Sequence, residues 1–367
     1  MHRNRLFLRL ALIALSIPTT PVAAAEVTRT IRMELSTQAA HAFAVENLAG
    51  TMRVATGNGD KVVAVATVHA ESGSLAGKMR FEQVTGEKGL PTLRVIYPLG
   101  QHETVRYRQS RAHGDGGGFL EGLFGGYSSV KYAGKTVRVS DSSGVLMYAD
   151  VEVQIPERGA KGTFRNLVGK IRGSRLNGDL LFDSASGDID LDGVEGDVRS
   201  DTGSGNVKAS GIKGTFRCDT GSGDCALTGF QGEEIRCDVG SGDIRLKSLE
   251  ARRISADTGS GNVRAEHADV ETFDADTGSG DVLLEAVGSR LARINADTGS
   301  GDVVIRMDPK ASFEALADQG SGEMTVGYKD ARPILKGREV VGYRRGESKI
   351  RINVSTGSGD LDIQPSH

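Results

Sequence analysis

Residues 201–206 read Asp-Thr-Gly-Ser-Gly-Asn, and this phrase returns with small changes through the second half of the 367-residue chain. The copies begin at Asp183, Asp201, Asp219, Asp238, Asp257, Asp276, Asp297, Asp318 and Ser355. Successive copies are 18 to 21 residues apart, except for a last step of 37 residues, about two ordinary steps. A repeat of this length predicts stacked coils, because one repeat cannot bury its apolar face without neighbours.

Apolar residues two positions apart flank each copy of the phrase. Phe216 and Cys218 precede one copy, and Cys225 and Leu227 follow it. This alternation predicts two short strands per coil, joined at a corner where glycine permits tight turning and close backbone approach. The sequence therefore predicts an all-β, single-chain β-solenoid with about 18–21 residues per coil. Analogy with other β-helices favours a right-handed stack, and a left-handed one is the alternative.

The first 25 residues have the composition of a secretory signal peptide. The segment has a basic opening with Arg3, Arg5 and Arg9, a mostly apolar run at residues 6–17, and three alanines at residues 23–25. The apolar run is too short to span a membrane, so we expect cleavage after Ala25 and export to the periplasm or the cell surface of a bacterium, with no transmembrane segment left. The formal net charge of −3 gives no electrostatic reason to expect nucleic acid as a partner.

Four segments follow from these patterns. Residues 1–25 are the signal peptide, 26–98 an irregular β-strand region, 99–130 a Gly-rich flexible insertion, and 131–363 the solenoid. Residues 56–60, Thr-Gly-Asn-Gly-Asp, are interpreted as a degenerate copy of the repeat phrase. Residues 328–346 are predicted to leave the stack, and residues 350–363 to form its last coil, whose free edge needs a cover.

The insertion carries apolar side chains at helical spacing. They are Phe119, Leu120, Leu123, Phe124 and Tyr127. One hypothesis is a loop whose apolar tip folds back onto the solenoid, because apolar stripes are usually buried. The other hypothesis is a docking segment for a partner or a membrane surface.

The repeated Gly-Ser-Gly-Asp corners, the strand from Val151 to Pro156 before the repeats and the signal peptide together resemble the putative-adhesin family of bacterial envelope proteins. The resemblance covers most of residues 40–363. It implies a β-solenoid at the cell envelope and brings no catalytic residues. The insertion at residues 99–130 has no counterpart in it.

The sequence Asp-Thr-Gly-Ser also resembles the catalytic loop of pepsin-like proteases. Those enzymes need two copies whose carboxylates share a proton, whereas the copies here are expected to stack along one edge. No nucleophile, base and orienting group recur together, so the sequence predicts no enzyme. A β-helix that binds or degrades polysaccharide is the alternative, because such folds can carry carboxylate and Arg clusters on one face.

The stacked acids need a compensating interaction. Arg199, Arg217 and Arg236 stand two residues before the acid in three coils. The later coils lack that arginine, and the acidic strip there comprises Asp257, Asp274, Asp276 and Asp297. We expect the acids to cap the corners through backbone N–H groups, and a weak Ca²⁺ site on this strip is the alternative. No other cofactor is expected.

Three cysteines allow one disulfide in an exported chain. Cys218 and Cys237 occupy the same position in successive coils, so their Cα atoms should lie about 4.8 Å apart, within bridging range. Cys225 points inward across the corner from Cys218. Buried free thiols are the alternative, since stacked residues hold their Cβ atoms farther apart than a disulfide prefers.

Together these patterns predict an exported, non-enzymatic β-solenoid that acts as an adhesin or a structural envelope protein. Its repeated faces would bind an envelope or surface component, either protein or glycan.

Overall fold

The computed structural model describes residues 26–36, 42–100, 102–108 and 126–366. The strands of the first half are β1 Val27–Ser36, β2 Phe43–Ala49, β3 Met52–Thr56, β4 Lys61–Ala70, β5 Arg80–Thr85, β6 Pro91–Ile96, β7 Thr104–Arg106, β8 Tyr127–Tyr132, β9 Lys135–Ser140, β10 Val145–Ile155, β11 Ala160–Val168, β12 Ile171–Ser184 and β13 Ile189–Thr202. Those of the second half are β14 Val207–Thr220, β15 Cys225–Val239, β16 Ile244–Thr258, β17 Val263–Thr277, β18 Val282–Ala286, β19 Arg293–Thr298, β20 Val303–Met307, β21 Phe313–Gln319, β22 Met324–Val326, β23 Arg332–Lys336, β24 Glu339–Arg345, β25 Ile350–Thr356 and β26 Leu361–Pro365. The described residues also contain one α-helix, α1 (Gly73–Lys78), and a 3₁₀ turn at Glu87–Gly89.

The molecule is an all-β solenoid with two faces. Each of the strands β12 to β17 bends in the middle, so that its first part lies in one sheet face and its last part in the other. We call the first parts, together with β3, β18, β20, β22 and β26, the front face. The last parts, together with β2, β11, β19, β21 and β25, are the back face. The bend needs positive φ, which Gly193, Gly211 and Gly229 adopt at +64°, +61° and +71°.

Successive coils pair in parallel and in register, which confirms the alignment of the repeats. Phe216 pairs with Val198 on one side and with Ile235 on the other, and Asp219 pairs with Asp201 and Asp238 in the same way. The apolar residues on both sides of the phrase are buried throughout the stack. The core is therefore a narrow column of branched and aromatic side chains between the two faces.

The N-terminal coil comes from β2 and β3. Strand β2 pairs in parallel with β11, and β3 pairs in parallel with β12, so Gly50 occupies the corner beneath Gly169. Residues 56–60, interpreted above as a degenerate copy of the phrase, instead lie where β3 turns into β4. Strand β4 then runs antiparallel to β10 and β1, which ends the front face. Thus the stack takes in part of the region at residues 26–98.

The C-terminal coils are not stacked in chain order. Strands β25 and β26 lie between the coil of β19 and β20 and the coil of β21 and β22. The expectation that residues 350–363 form the outermost coil is therefore wrong. The outermost coil is the earlier one, and the hairpin of β23 and β24 covers its back-face edge through antiparallel pairing of β24 with β21. The 37-residue step reflects this return of the chain.

The insertion contributes strands at both of its ends. Strands β7, β8 and β9 form a small sheet attached to β10. Tyr127 is the first residue of β8 and is extended, so the predicted helical spacing does not hold there. Phe119, Leu120, Leu123 and Phe124 lie outside the described residues. Within the described ranges, no helix has the length and apolar character that a membrane span requires.

Substitution of a corner glycine tests the stacking. A Cβ atom on Gly261 would overlap the carbonyl oxygen of Gly242 in the preceding coil, whereas one on Gly59 would meet no atom within 4 Å. We expect Gly261→Ala to lower the free energy of unfolding by about 1–3 kcal/mol, because the coils must move apart locally. Gly59→Ala should leave it unchanged within about 1 kcal/mol. Denaturant unfolding of both variants measures the difference, and equal stabilities would contradict backbone contact at the corners.

Candidate functional site

Threonine is the residue that caps most of the corners, whereas Ser184, Val239 and Gln319 stand at its position in three copies. In the copy at residues 257–262, the Thr258 hydroxyl donates to the Gly242 carbonyl of the preceding coil at 2.8 Å and accepts from the Gly261 N–H at 3.2 Å. The same pair of bonds recurs at Thr220, Thr277, Thr298 and Thr356. Sequence reasoning assigned this role to the acids. The sequence did contain a signal for the role of Thr. Successive side chains of a strand point to opposite faces, so the Thr points inward when the Asp before it points outward.

The residue that closes the phrase forms a second ladder between coils. The Asp224 carboxylate accepts from the Asp243 N–H at 2.9 Å, and the Asp243 carboxylate accepts from the Asn262 N–H at 2.8 Å. Equivalent bonds start at Asp188, Asn206, Asn262, Asp281, Asp302 and Asp360. A side-chain Oδ1 that accepts a hydrogen bond is the common requirement, which explains why both Asp and Asn occur at this position.

The first Asp of each phrase forms a stripe on the back face. The pKa values of Asp201 and Asp257 lie above the usual range for Asp. Burial is the larger cause, and repulsion by the carboxylates of neighbouring coils is the second. One acid of the predicted calcium strip has compensating partners. The Asp274 carboxylate lies 3.4 Å from the Arg253 guanidinium and accepts a hydrogen bond from the Asn295 amide at 2.6 Å.

The calcium hypothesis depends on Asp257, Asp274, Asp276 and Asp297. The structure stacks Asp257, Asp276 and Asp297 in register and places Asp274 two residues before Asp276. Within the part of the chain that the structure describes, no group of three or more acidic, His or Cys side chains is close enough to hold a metal ion. The calcium site therefore stays a prediction from sequence.

Neutralising one stripe carboxylate should stabilise the fold. A carboxyl group whose pKa is raised by folding destabilises the native state above that pKa, and the penalty disappears as pH falls towards the usual value of 3.8. Asp257→Asn should therefore raise the Tm at pH 7 by roughly 1–2 °C, with no gain near pH 4. A thermal melt at each pH measures this effect.

Asp224→Asn is the matched control of opposite sign. Burial by itself would raise the pKa of Asp224. Hydrogen bonds from Arg245 and from the Asp243 N–H outweigh burial and hold this pKa below its usual value. That stabilisation is present at pH 7 and is lost as pH falls through the lowered pKa. The D224N variant should lose Tm at pH 7 and keep an Oδ1 for the ladder, as at Asn206. The stripe hypothesis fails if both variants shift Tm in the same direction.

A groove of about 740 Å³ lies on the front face near the N-terminal end of the stack. Its floor is formed by short outward side chains from successive coils, namely Ala55, Ser174, Ser210, Ala226 and Thr228. Its walls carry charged or amide side chains, namely Arg53, Glu152, Gln154, Arg172, Asp190, Asp192 and Lys208. The groove exists because short residues at in-register positions stand between long ones. Among the described residues that line it, none is aromatic.

The charged groups of the groove differ in their contacts. The Asp190 carboxylate lies 2.7 Å from the Lys170 ammonium, and Asp192 accepts from the Ser210 hydroxyl at 2.6 Å. Arg53 and Lys208 are exposed, and neither forms an ion pair with any residue that the structure describes. The groove thus presents two unpaired cations, two engaged acids and Glu152, an exposed acid in register with Arg53 that forms no ion pair with a described residue.

A second hollow of about 590 Å³ adjoins the groove and shares Ala55 and Ser174 with it. It lies over the bend between the two faces and adds three cations and three acids or amides to the surface. They are Arg158, Arg175, Lys213, Glu157, Asn177 and Glu195. The two hollows together form one elongated surface, which we call the groove surface. It crosses several coils.

A histidine cluster that the sequence did not reveal ties the edge strand β1 to the stack. His69 on β4 stacks on Tyr148 with ring centroids 4.4 Å apart. Its Nδ1 lies 2.6 Å from Glu26, directly before β1, and its Nε2 lies 3.3 Å from Asp150 on β10. The pKa of His69 is raised above 6.5, mainly by the hydrogen bond to the Asp150 carboxylate. Burial lowers this pKa, and the hydrogen bond to Glu26 raises it further. Only antiparallel pairing brings these distant positions together.

Substitution of His69 should have a pH-dependent effect. A histidine whose pKa is raised by folding contributes stability that is full below pH 6.5 and is lost as pH rises through the raised pKa. We expect His69→Gln to lower the Tm by a few degrees at pH 6 and by less at pH 9. His102→Gln is the control, since the His102 side chain makes no hydrogen bond with a described residue. A loss of Tm that is equal at both pH values would contradict the charged cluster.

The structure places the predicted cysteines and the predicted partner-contact residue Tyr127 in different parts of the molecule. Cys218 and Cys237 stack in register as expected, and all three cysteines are buried and unbridged. Tyr127, the described member of the partner-contact candidates, has 61% of its surface exposed, and the Arg138 guanidinium lies 5.5 Å from its ring centroid. This tyrosine lies on the small sheet of β7, β8 and β9, outside the residues that line the groove.

Comparison with known proteins identifies the repeat region. Residues 195–364 match the Toastrack DUF4097 domain family, which is less than half of the chain. A search of curated proteins found no significant match. The resemblance to a family of envelope β-repeat proteins is thus supported at the level of this domain, while the Gly-Ser-Gly-Asp corner as its mark stays a prediction.

Three solved structures are similar to this chain. A putative cell adhesion protein from Clostridium sporogenes is 11% identical, with 93% of this chain and 100% of that chain covered and a TM-score of 0.22. A putative lipid binding protein from Parabacteroides distasonis is 12% identical, with 93% and 97% covered and a TM-score of 0.44. A putative adhesin from Bacteroides fragilis is 10% identical, with 91% and 97% covered and a TM-score of 0.37.

Proposed function

We propose that this chain is an exported, non-enzymatic binding scaffold of the bacterial envelope, whose coils hold the groove surface rigid for an extended partner. The observation that carries the proposal is the groove itself. Its floor and walls come from five or more in-register strands, so its lining groups repeat at about the 4.8 Å strand spacing. Side chains on rigid strands are already in place before binding, which reduces the entropy lost when a partner docks.

The chemistry of the groove surface favours an acidic, hydroxyl-rich polymer, such as a glycan that carries carboxylate groups. Arg53 and Lys208 are unpaired cations of the groove, and the adjoining hollow adds three cations and two acids, so the six cations of the groove surface outnumber its five acids by one. The hydroxyl groups of Ser174, Ser210 and Thr228 can exchange hydrogen bonds with sugar hydroxyls along the floor. An adhesin-like role follows if the surface is reached from outside the cell, and a structural envelope role if it is not.

Binding is favoured over catalysis by the state of the groove carboxylates. A glycoside hydrolase needs two carboxyl groups that flank the scissile bond and remain free to transfer a proton or attack the sugar. Here Asp190 is held through its Oδ2 by Lys170, and Asp192 is held by Ser210. The third groove acid, Glu152, lies three strands from both, about 14 Å at strand spacing, which is too far for a pair of catalytic carboxyl groups. Asp190 and Asp192 serve to orient the wall of the groove. Polysaccharide degradation is kept as the alternative outcome of the test below.

The proposal predicts charge-specific glycan binding at the groove. The protein purified after export is titrated with alginate, a polyuronate, and with neutral dextran in a calorimeter. We expect binding to alginate that weakens with salt, and no binding to dextran. The double variant Arg53→Gln, Lys208→Gln should weaken alginate binding at least about tenfold, since two charge-assisted contacts are lost.

The matched control removes two cations far from the groove. Arg293 and Arg351 are in register and exposed on the back face, and they form no ion pair with a described residue. Arg293→Gln, Arg351→Gln should leave alginate binding unchanged. Equal losses in both double variants would show non-specific attraction and overturn the groove as the site. Release of new reducing ends from alginate would instead identify a degrading enzyme.

A further inference from the structure

Two thiols meet across the core of one coil. Cys225 begins β15 on the front face, and Cys237 lies near the end of the same strand on the back face. Their sulfur atoms are 3.5 Å apart, and both residues are at most 1% exposed. Burial raises the pKa of the Cys225 thiol well above its usual value, whereas hydrogen bonds with the Cys218 thiol and then the Cys225 thiol lower the pKa of Cys237 to about 5.

This contact differs from the pair that stacking alone suggests. Cys218 and Cys237 are neighbours in register on the back face, so their side chains run parallel at about the 4.8 Å strand spacing. Disulfides prefer Cβ atoms about 3.8 Å apart and side chains that point towards each other. Cys225 and Cys237 satisfy the second condition, because they project from opposite faces into the same core.

Among the neighbouring coils, this one alone carries cysteine at both positions, although Cys218 occupies the place of Cys237 in the preceding coil. Val207 and Ile244 occupy the place of Cys225 in the adjacent coils, and Ala256 occupies the place of Cys237 in the next. Branched and small apolar residues therefore fill these positions well. Two cysteines that face each other in a single coil replace such a pair with side chains that can be linked covalently.

We infer that Cys225 and Cys237 form a disulfide that joins the front and back faces within one coil, and that Cys218 stays a free thiol. In the reaction the two thiols lose two protons and two electrons, and one S–S bond forms. A disulfide oxidant accepts the electrons and is itself reduced to two thiols. Because both sulfurs are buried in the fold, the bond forms while the chain is folding.

Refolding in a glutathione buffer tests the assignment. The purified protein is unfolded in guanidinium, refolded with oxidised glutathione as oxidant, alkylated under denaturing conditions and cleaved before Asp residues. Cys225 and Cys237 then lie together in the fragment of residues 224–237, while Cys218 lies in the fragment of residues 201–218. We expect the first fragment unalkylated and two mass units lighter than its dithiol form, and the second fragment alkylated once.

Variants that copy the residues of the neighbouring coils separate the pairings. Cys218→Ala should still oxidise fully, whereas Cys225→Val and Cys237→Ala should each keep two free thiols. Reduction should lower the Tm of the oxidised protein by about 5 °C, because the crosslink restricts the unfolded chain, and should leave the Tm of the C225V variant unchanged. A crosslink between the two fragments, or alkylation of all three cysteines, would overturn the inference.

Discussion

Direct contact between backbone atoms at the glycine corners is the constraint on which this structure depends. At each corner a glycine lies against the carbonyl group of the glycine one coil earlier, at a distance that leaves no room for a Cβ atom. The coils can therefore approach to strand spacing along their whole length. Once that spacing is set, the strands pair in register, and every side chain joins a column of equivalent residues.

In-register stacking turns single residues into ladders, and each ladder has its own energetic consequence. The column of Thr hydroxyls satisfies buried carbonyl and N–H groups at the corners, which would otherwise be left without partners. The column that closes the phrase links each coil to the next through a side-chain oxygen. The column of leading acids is unfavourable by itself, since like charges stack at strand spacing. Outward exposure and nearby arginines limit that repulsion.

The same geometry produces the groove. Where a column passes from charged residues to Ser, Ala and Thr over several coils, the face becomes concave, and unpaired cations such as Arg53 and Lys208 remain along its wall. A solenoid can thus acquire a binding surface by a few substitutions in a column, without a change in its backbone. The front face carries this surface, while the back face carries the acidic stripe.

The sequence by itself determined the all-β class, the coil length and which residues of each repeat face the core, because these follow from local periodicity and glycine chemistry. It could not determine the order of the coils at the two ends. Residues 56–60 resemble a corner in sequence but form the turn between β3 and β4. Strands β25 and β26 return to lie between two earlier coils, because similar repeats satisfy the local pattern equally well. The cluster of His69 with Glu26 and Asp150, the contact of Cys225 with Cys237, and the groove were decided only by the tertiary structure. The histidine cluster and the groove bring together residues that are distant along the chain, and the two cysteines, 12 residues apart, meet because their strand bends from one face to the other.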